Sequence, residues 1–498
     1  MSILLSDALK KVIAEHGIVV THLSKTTGID RTTLQHIIGG RRLPNKDQMN
    51  KLLLAISIPT HEKAILLQAY EFTTEGPDKF KQREKVKAII EKIAFTSMGK
   101  SAGASESKDA VAEPSDVMPE SASAMPVQNT VSNVCSNAYE SKNLHDMSEI
   151  SNALVNIIAE EECSVSFFMP SNFSFFYDTL FAKYTMSEEL SVTCFFPISN
   201  ETDNIVSDLE YCESFIPFFA SLKRGFQAYY MRGQNAFYDA SIVLFPYFVL
   251  TSRHVLLVSA DMNHAILTKQ DAFVRMYQKK CQDFLSIGSP LYSISPIEEL
   301  MAFFHRNPTK DVFATLDSQP CLQYYLNEQI IKKYAIAPNK ENSVLVQMYT
   351  KYINEMAKEP HLFSTFGQAG LDFFVETGYI SVCPPSLGKP LNVQDRIKLL
   401  QRMLDDIKND EFNCRMVDAS KFTIPSRIVT IAVRRKTLFV QVLDYAGGNV
   451  KNICLMEKNV VEAFTDFLSN IQNTPLVHSK EETIKAFEVA LEKLGAKS

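Results

Sequence analysis

The sequence contains no tryptophan, no cysteine pair at C-x-x-C spacing and no apolar run long enough to cross a bilayer. Each absence excludes something. The nine cysteines, at 135, 163, 194, 212, 281, 321, 383, 414 and 454, are odd in number and scattered. That distribution argues against a disulfide framework and against a thiolate zinc site, so most read as small buried hydrophobes. The longest uninterrupted apolar stretch, Ile242 to Leu250, falls far short of the ~18–20 residues of a spanning helix. The opening residues, MSILLSDALKKVIAEHG, pattern as a short amphipathic helix rather than a signal peptide. A cytoplasmic protein without a membrane partner is expected.

Signatures of known chemistry are missing too. There is no G-x-S-x-G, no G-x-x-x-x-G-K-[ST], no H-E-x-x-H and no G-x-G-x-x-G following a strand. No catalytic residue, cofactor or metal ligand is therefore expected. His254, His264 and His305 read as hydrogen-bonded structural histidines, Asp405-Asp406 as a solvated helix face, and Gly447-Gly448 as a turn between strands.

What is present is an uneven chain. Its 498 residues allow three or four domains, and 46% hydrophobic with 22% charged residues is an ordinary globular composition. The net charge of −6 hides a split: residues 1–95 carry 15 Lys and Arg against 10 Asp and Glu, +5, leaving −11 for the rest. Such asymmetry points to a nucleic-acid-facing module joined to a body with another task. Residues 96–146 are dominated by Ser, Ala, Glu, Pro and Asn with one aromatic, Tyr139. A segment of that kind buries too little apolar surface to offset the entropy of ordering, so a disordered linker is expected there. A long tether weakens rigid coupling, which favours control through oligomeric state and effective concentration over a lever.

The head, 1–95, breaks into short helices. Ser6 suits the N-cap of a first helix with Leu9, Val12 and Ile13 on one face, and Gly17 suits its end. A second helix runs from about Val20 to Thr27, Gly28 fills a turn, and a third runs from Asp30 to Ile38. Asp30 can cap that helix by accepting from the backbone of Thr32 or Thr33. Beyond a fourth helix with Met49, Leu52, Leu53 and Ile56 inward, a fifth spans Thr60 to Ala69 with Ile65, Leu66 and Ala69 inward. The charged segment Asp78 to Ala94 carries an apolar stripe, Val86, Ile89, Ile90 and Ile93, which could pack on the head or on a second copy.

The run HLSKTTGIDRTTLQHIIGGRRLPNKDQMNKLLLAI resembles the Cro/C1-type (XRE-family) helix-turn-helix regulators. Leu23 before Ser24, Gly28 in the turn, Ile29, Leu34 and Ile37 at the buried positions, and the exit Gly40-Arg41-Arg42-Leu43-Pro44 carry the likeness. Thr27 stands where an apolar residue is usual, and Val19-Val20 where a polar cap begins the second helix. The resemblance implies a DNA-binding bundle in which the third helix enters the major groove. By position in the motif, Arg31, Thr32 and His36 are the first candidates for base edges and Thr33 and Gln35 the next. Arg41 and Arg42 would lie against phosphates, which supply affinity without sequence information. His36 has no second metal ligand at helical spacing.

The body shows an internal parallel. The stretch from Leu190 and the stretch from Gly378 both read as a strand ending in Pro, a loop, a helix and a further strand near Phe226 or Phe412. Matching Phe226 with Phe412, Phe237 with Phe422 and Phe284 with Phe467 gives offsets of 186, 185 and 183. The helices Asn172 to Tyr184 and Leu362 to Gly378 correspond in the same scheme. Two related α/β (α+β) units are expected, 147–290 and 291–476, followed by a C-terminal helix in 477–498, Lys480 to Leu494. Two such copies would pack about a pseudo-twofold axis with a cleft between them. This layout resembles that of phospholipase-D-like proteins, but neither half carries H-x-K-x-x-x-x-D, so the resemblance implies no activity.

The expected whole is a multidomain chain: an all-α helix-turn-helix head, a linker and a duplicated body acting as sensor or oligomerisation platform. The expected function is a sequence-specific transcriptional regulator, a homodimer on a palindromic operator of double-stranded DNA, answering to a small-molecule or protein effector. Two alternatives stand beside it: a nuclease or hydrolase of unrecognised type delivered to DNA by the head, and an interaction protein of defence or mobile-element systems.

Overall fold

The computed structural model describes residues 4–98, 141–199, 205–221, 225–232, 244–295, 313–336, 344, 346–348, 350–351, 362–381, 383, 388–424, 428–434, 436–444 and 449–496. Five helices form the N-terminal bundle: α1 (Leu5–Glu15), α2 (Val20–Thr27), α3 (Arg31–Ile38), α4 (Lys46–Ala55) and α5 (Thr60–Glu75). Their apolar faces meet in one core built on Leu9, Leu23, Leu34, Ile37, Met49, Leu52, Ile56 and Leu66. Two local expectations fail. Ser6 lies inside the first turn of α1, which Leu4 precedes without a side-chain cap. Ile65 is 48% exposed, because Leu66 and Ala69 already fill the inward face of α5.

The larger correction concerns α6 (Pro77–Met98). Its stripe packs neither on the head's core nor on a second copy. Val86, Ile89 and Ile90 are fully buried in the core of the body, where α6 lies against two body helices, α9 (Ile205–Ala220) and α14 (Lys458–Asn470). Three buried aliphatic side chains at about 1.5–3 kcal/mol each make this a firm anchor. Ion pairs flank it: Arg83 Nε donates to Asp466 Oδ2 at 2.6 Å and Lys85 Nζ to Glu213 Oε2 at 2.9 Å. The head therefore joins the body through the α5–α6 elbow. The expected linker falls mostly outside the described residues, and both flanks of that stretch are held by the body. Its last residues form a strand, β1 (Ser141–Leu144), on the edge of a sheet.

The first sheet has the order β1-β7-β6-β5-β2-β3-β4-β8, with β2 (Ser164–Phe168), β3 (Ser191–Ile198), β4 (Phe226–Arg232), β5 (Tyr247–Leu250), β6 (Val255–Val258), β7 (Ala265–Thr268) and β8 (Ser289–Pro290). The second has the order β12-β11-β10-β13-β14-β15-β9, with β9 (Tyr292–Ser295), β10 (Phe313–Asp317), β11 (Leu362–Phe366), β12 (Asn413–Met416), β13 (Ile428–Arg434), β14 (Thr437–Asp444) and β15 (Asn449–Leu455). In each, three parallel strands (β2, β3, β4; β10, β11, β12) continue through their first member into an antiparallel meander (β5, β6, β7; β13, β14, β15). The strand preceding each set, β1 or β9, pairs with its last member.

This common order differs in detail from the sequence alignment. The segment expected as a helix from Leu362 opens as strand β11, and only α12 (Gln368–Thr377) is helical. Gly378, at φ +78°, ends that helix, and of the residues expected as the matching strand, 379–381 and 383 are described and form no strand. Phe237, His305 and Gly447-Gly448 lie outside the described residues. The two sheets also do not meet about a twofold axis. Residues 289–295 pass from the β4 edge of the first sheet to the β15 edge of the second, so unlike edges adjoin.

Unlike faces meet as well. The core between the sheets is lined on one side by α7 (Met147–Glu160), α8 (Ser174–Met186) and α9, and on the other by α14, which follows the last strand of its sheet. The corresponding helix of the first sheet, α10 (Asp271–Ile287), covers the outer face instead. On the far face of the second sheet lie α11 (Glu328–Tyr334), α12, α13 (Val393–Lys408) and α15 (Lys480–Gly495), the last capped by a Ser479–Glu482 capping box.

Candidate nucleic-acid interface

The exposed polar face of the head is built by α2 and α3. Gly28 takes the left-handed conformation, φ +70°, that turns the chain between them, with nothing within 4 Å of where a Cβ would lie. Ser24 Oγ donates to the Ile29 carbonyl at 2.6 Å and ties α2 to the turn. Thr27, at a position where an apolar residue is usual, is buried with its hydroxyl satisfied: it donates to the Leu23 carbonyl at 2.7 Å and accepts from the Ile29 amide at 3.3 Å. A buried hydroxyl is tolerated here because both partners are local backbone.

Asp30 caps α3. Its carboxylate accepts from the Thr33 amide at 2.8 Å, and hydrogen bonds from Thr33, with the charge of Arg42 nearby, hold it below the usual carboxylate range. With Leu34 and Ile37 locked in the core, Arg31, Thr32, Gln35 and His36 stand exposed on the opposite face. The head's core therefore sets which side chains α3 offers.

Thr33 is not among them. It is 9% exposed, and its hydroxyl accepts from Arg42 Nη1 at 3.4 Å, so its place is beneath Arg42 rather than on the outer face. Past the helix, Gly40 reverses the chain at φ +73°, where a Cβ would sit 3.1 Å from the Ser6 side chain. That turn puts Arg41 and Arg42 on the surface, both amides donating to the His36 carbonyl. Thr21, His22 and Lys25 are also exposed on α2. Their spacing around buried Leu23 and Thr27 on α2 makes them legible in the sequence as an outward set. Val19, the N-cap of α2, makes no side-chain cap and is 61% exposed.

The body offers buried polar groups that serve structure. Arg232, at the end of β4, donates to Glu457 Oε1 at 2.8 Å, and the other oxygen of Glu457 caps α14 by accepting from the Val460 amide. Beside them Asn459 Nδ2 donates to Asp208 Oδ2 at 2.8 Å. Burial raises Asp208 to about 6 against that bond. Asp317 lies among hydroxyls, with Thr315 Oγ1 at 2.6 Å, and is raised to about 6 by burial. The thiols of Cys194, Cys212, Cys321 and Cys414 are pushed up by burial, which disfavours the reactive thiolate. The main chains of His254 and His264 are bonded within turns of the first sheet, the His254 amide donating to Thr251 Oγ1 and the His264 amide to Ser259 Oγ. Among the described residues no three His, Cys, Asp or Glu side chains converge as a metal site, and no helix is long and apolar enough to cross a membrane.

No family model and no curated protein matches this chain. Among solved structures, it is similar over 31% of its length to TrmBL2, an archaeal chromatin protein with its own mode of DNA binding, at 6% identity and a TM-score of 0.23. The chain spans about half of that protein, 54%. It is similar over 72% of its length to phosphatidylserine synthase of Haemophilus influenzae Rd KW20, 93% of which is covered, at 9% identity and TM-score 0.25. Polyphosphate kinase of Porphyromonas gingivalis matches over 72% of this chain and 55% of its own, at 10% identity and TM-score 0.23. Scores of this size establish no shared fold.

Proposed function

We propose that the protein is a sequence-specific DNA-binding regulator of the Cro/C1 helix-turn-helix kind, acting in the cytoplasm on double-stranded DNA. The observation that carries this reading is the outer face of α3: Arg31, Thr32, Gln35 and His36 exposed together on a capped helix whose other face is locked into a core. A helix with hydrogen-bonding side chains on its free face fits the major groove of B-DNA, and arginine makes the commonest base-specific contact there, a bidentate pair to guanine. Arg41 and Arg42 at the exit supply phosphate contacts. Because one such helix reads only a few base pairs, two copies on a palindromic operator give the required site length.

The body is the sensor or assembly platform in this reading. The matching strand order of its two sheets supports an internal duplication arranged head to tail. The test is a titration of the full chain against duplex DNA by fluorescence anisotropy. Arg31→Ala is expected to weaken specific binding by about 1–3 kcal/mol while leaving random DNA unchanged, and Arg41→Ala to weaken all sequences and flatten the salt slope by about 1. Equal loss on specific and random DNA for Arg31→Ala would remove its base-reading role.

A further inference from the structure

Among the described residues the outer face of the first sheet is covered by α10 alone, where the far face of the second lies under α11, α12, α13 and α15. α10 turns Val274, Tyr277, Cys281 and Phe284 into its sheet. The residue before each of them, Phe273, Met276, Lys280 and Asp283, stands in a second row along the helix flank, which Ile287 ends. Phe273, Met276 and Ile287 are 41%, 52% and 62% exposed. Beside the helix, Tyr229 of β4 and Ile266 of β7 are only partly buried on the same face of the sheet. We propose that this row is where a second copy of the chain docks, the two α10 helices lying antiparallel about a twofold axis.

The row reads the same from either end. Met276, Lys280, Asp283 and Ile287 follow one another at steps of four, three and four residues, the spacing of a coiled-coil seam. An antiparallel copy centred between Cys281 and Gln282 sets Met276 against the partner's Ile287 and Lys280 against the partner's Asp283, and the same pairs recur on the other side of the axis. Apolar meets apolar and cation meets anion at every position. A parallel copy in register would instead oppose lysine to lysine and aspartate to aspartate. The Lys280 ammonium lies over the rings of Tyr277 and Phe284, 5.7 and 5.5 Å from their centroids. With three N–H donors it keeps one for a carboxylate across the seam. A patch that is its own complement forms an isologous contact, which closes at two copies.

Twofold pairing of the bodies suits a reader of inverted half-sites. Each body holds its own α6 in its core, and α6 follows directly on the last helix of the head. Two paired bodies therefore present two copies of α3 on one assembly, as a palindromic operator requires. This consequence rests on the regulator reading above; the pairing itself does not.

Sedimentation velocity of the full chain without DNA reads the association. A dimer is expected to form by about 100 μM, in the weak class that a short seam allows. Met276→Glu and Ile287→Glu, both at exposed positions, are each expected to weaken it about tenfold or more with an unchanged circular dichroism spectrum. Lys280→Glu alone opposes an acid to the partner's Asp283, and Asp283→Lys alone opposes a cation to the partner's Lys280, so each is expected to weaken the dimer about tenfold. Both exchanges in one chain are expected to restore it. A monomer throughout, which would leave the row to a different occupant, would overturn the proposal. So would a dimer indifferent to Met276→Glu and Ile287→Glu, or a double exchange that fails to restore association. With DNA present, Met276→Glu is expected to bind a palindromic duplex about tenfold more weakly than the parent and a single half-site equally well. Equal binding of the palindrome would overturn the consequence for DNA; a chain that pairs and ignores DNA would overturn the regulator reading and leave the interface.

Discussion

Arg42 owes its position to two residues that never need to touch a ligand. The Thr33 hydroxyl lies beneath its guanidinium at 3.4 Å, and Gly40 turns the chain that delivers it. Gly28 and Gly40 share a left-handed backbone, φ +70° and +73°, but differ in surroundings: open space around one, Ser6 at 3.1 Å from the other. Alanine at Gly28 should therefore cost the conformational penalty alone, about 1 kcal/mol. At Gly40 the same change meets a packed side chain, and a loss of about 2 kcal/mol or more is expected in thermal or urea unfolding. Equal losses would show that the Ser6 contact yields freely. The glycine turn, the Asp30 cap and the outward set Arg31, Thr32, Gln35 and His36 were legible because helical spacing and capping chemistry are local. Thr33 was not: a threonine reads equally as surface or core until the partner of its hydroxyl, Arg42, is in place.

The helix α6 decides how the head is held. Its stripe was visible as a stripe, yet periodicity tells which face is covered and never what covers it, and α9 and α14 lie more than a hundred residues away. Ile90→Ala is expected to cost about 2–5 kcal/mol, as for other large-to-small changes in a core. By hydrogen exchange the loss of protection should appear in α9 and α14 while α1 to α4 keep theirs; the reverse distribution would return α6 to the head. At the elbow above it, Glu71 is pushed up from 4.5 to about 7 by burial and by the charges of Glu84 and Glu75, with Arg83 opposing. The folded state thus holds a proton that the unfolded chain releases between those values. Its contribution to stability is complete below about pH 4.5 and is lost as the pH rises through 7. Glu71→Gln should flatten that decline and leave the variant more stable than the parent by about 2 kcal/mol at pH 8. An unchanged pH profile would place the titrating group elsewhere.

At the scale of the whole molecule, the chain is a helical bundle joined through α6 to a body of two sheets that share a strand order and adjoin by unlike edges. The shared strand, turn and helix order of the two sheets was visible in the sequence because those patterns recur at a nearly constant offset. Its register was lost at Leu362, where LFSTF can be read as the start of the helix that follows it. The mode of assembly was illegible, since no local pattern states which edge of one sheet will receive Tyr292–Ser295. Anchoring α6 in the body joins the head to it by a docked helix, where the sequence suggested a long tether alone.

The claim on which all of this depends is that the outer face of α3 reads base sequence. Selection of bound fragments from a random DNA pool, run with the full chain and with Arg31→Ala, tests it most directly. The account predicts an enriched site with two inverted half-sites, and a loss of preference at one base of each half-site in the variant. Recovery of an unenriched pool at low salt, or the same site from both proteins, would contradict it.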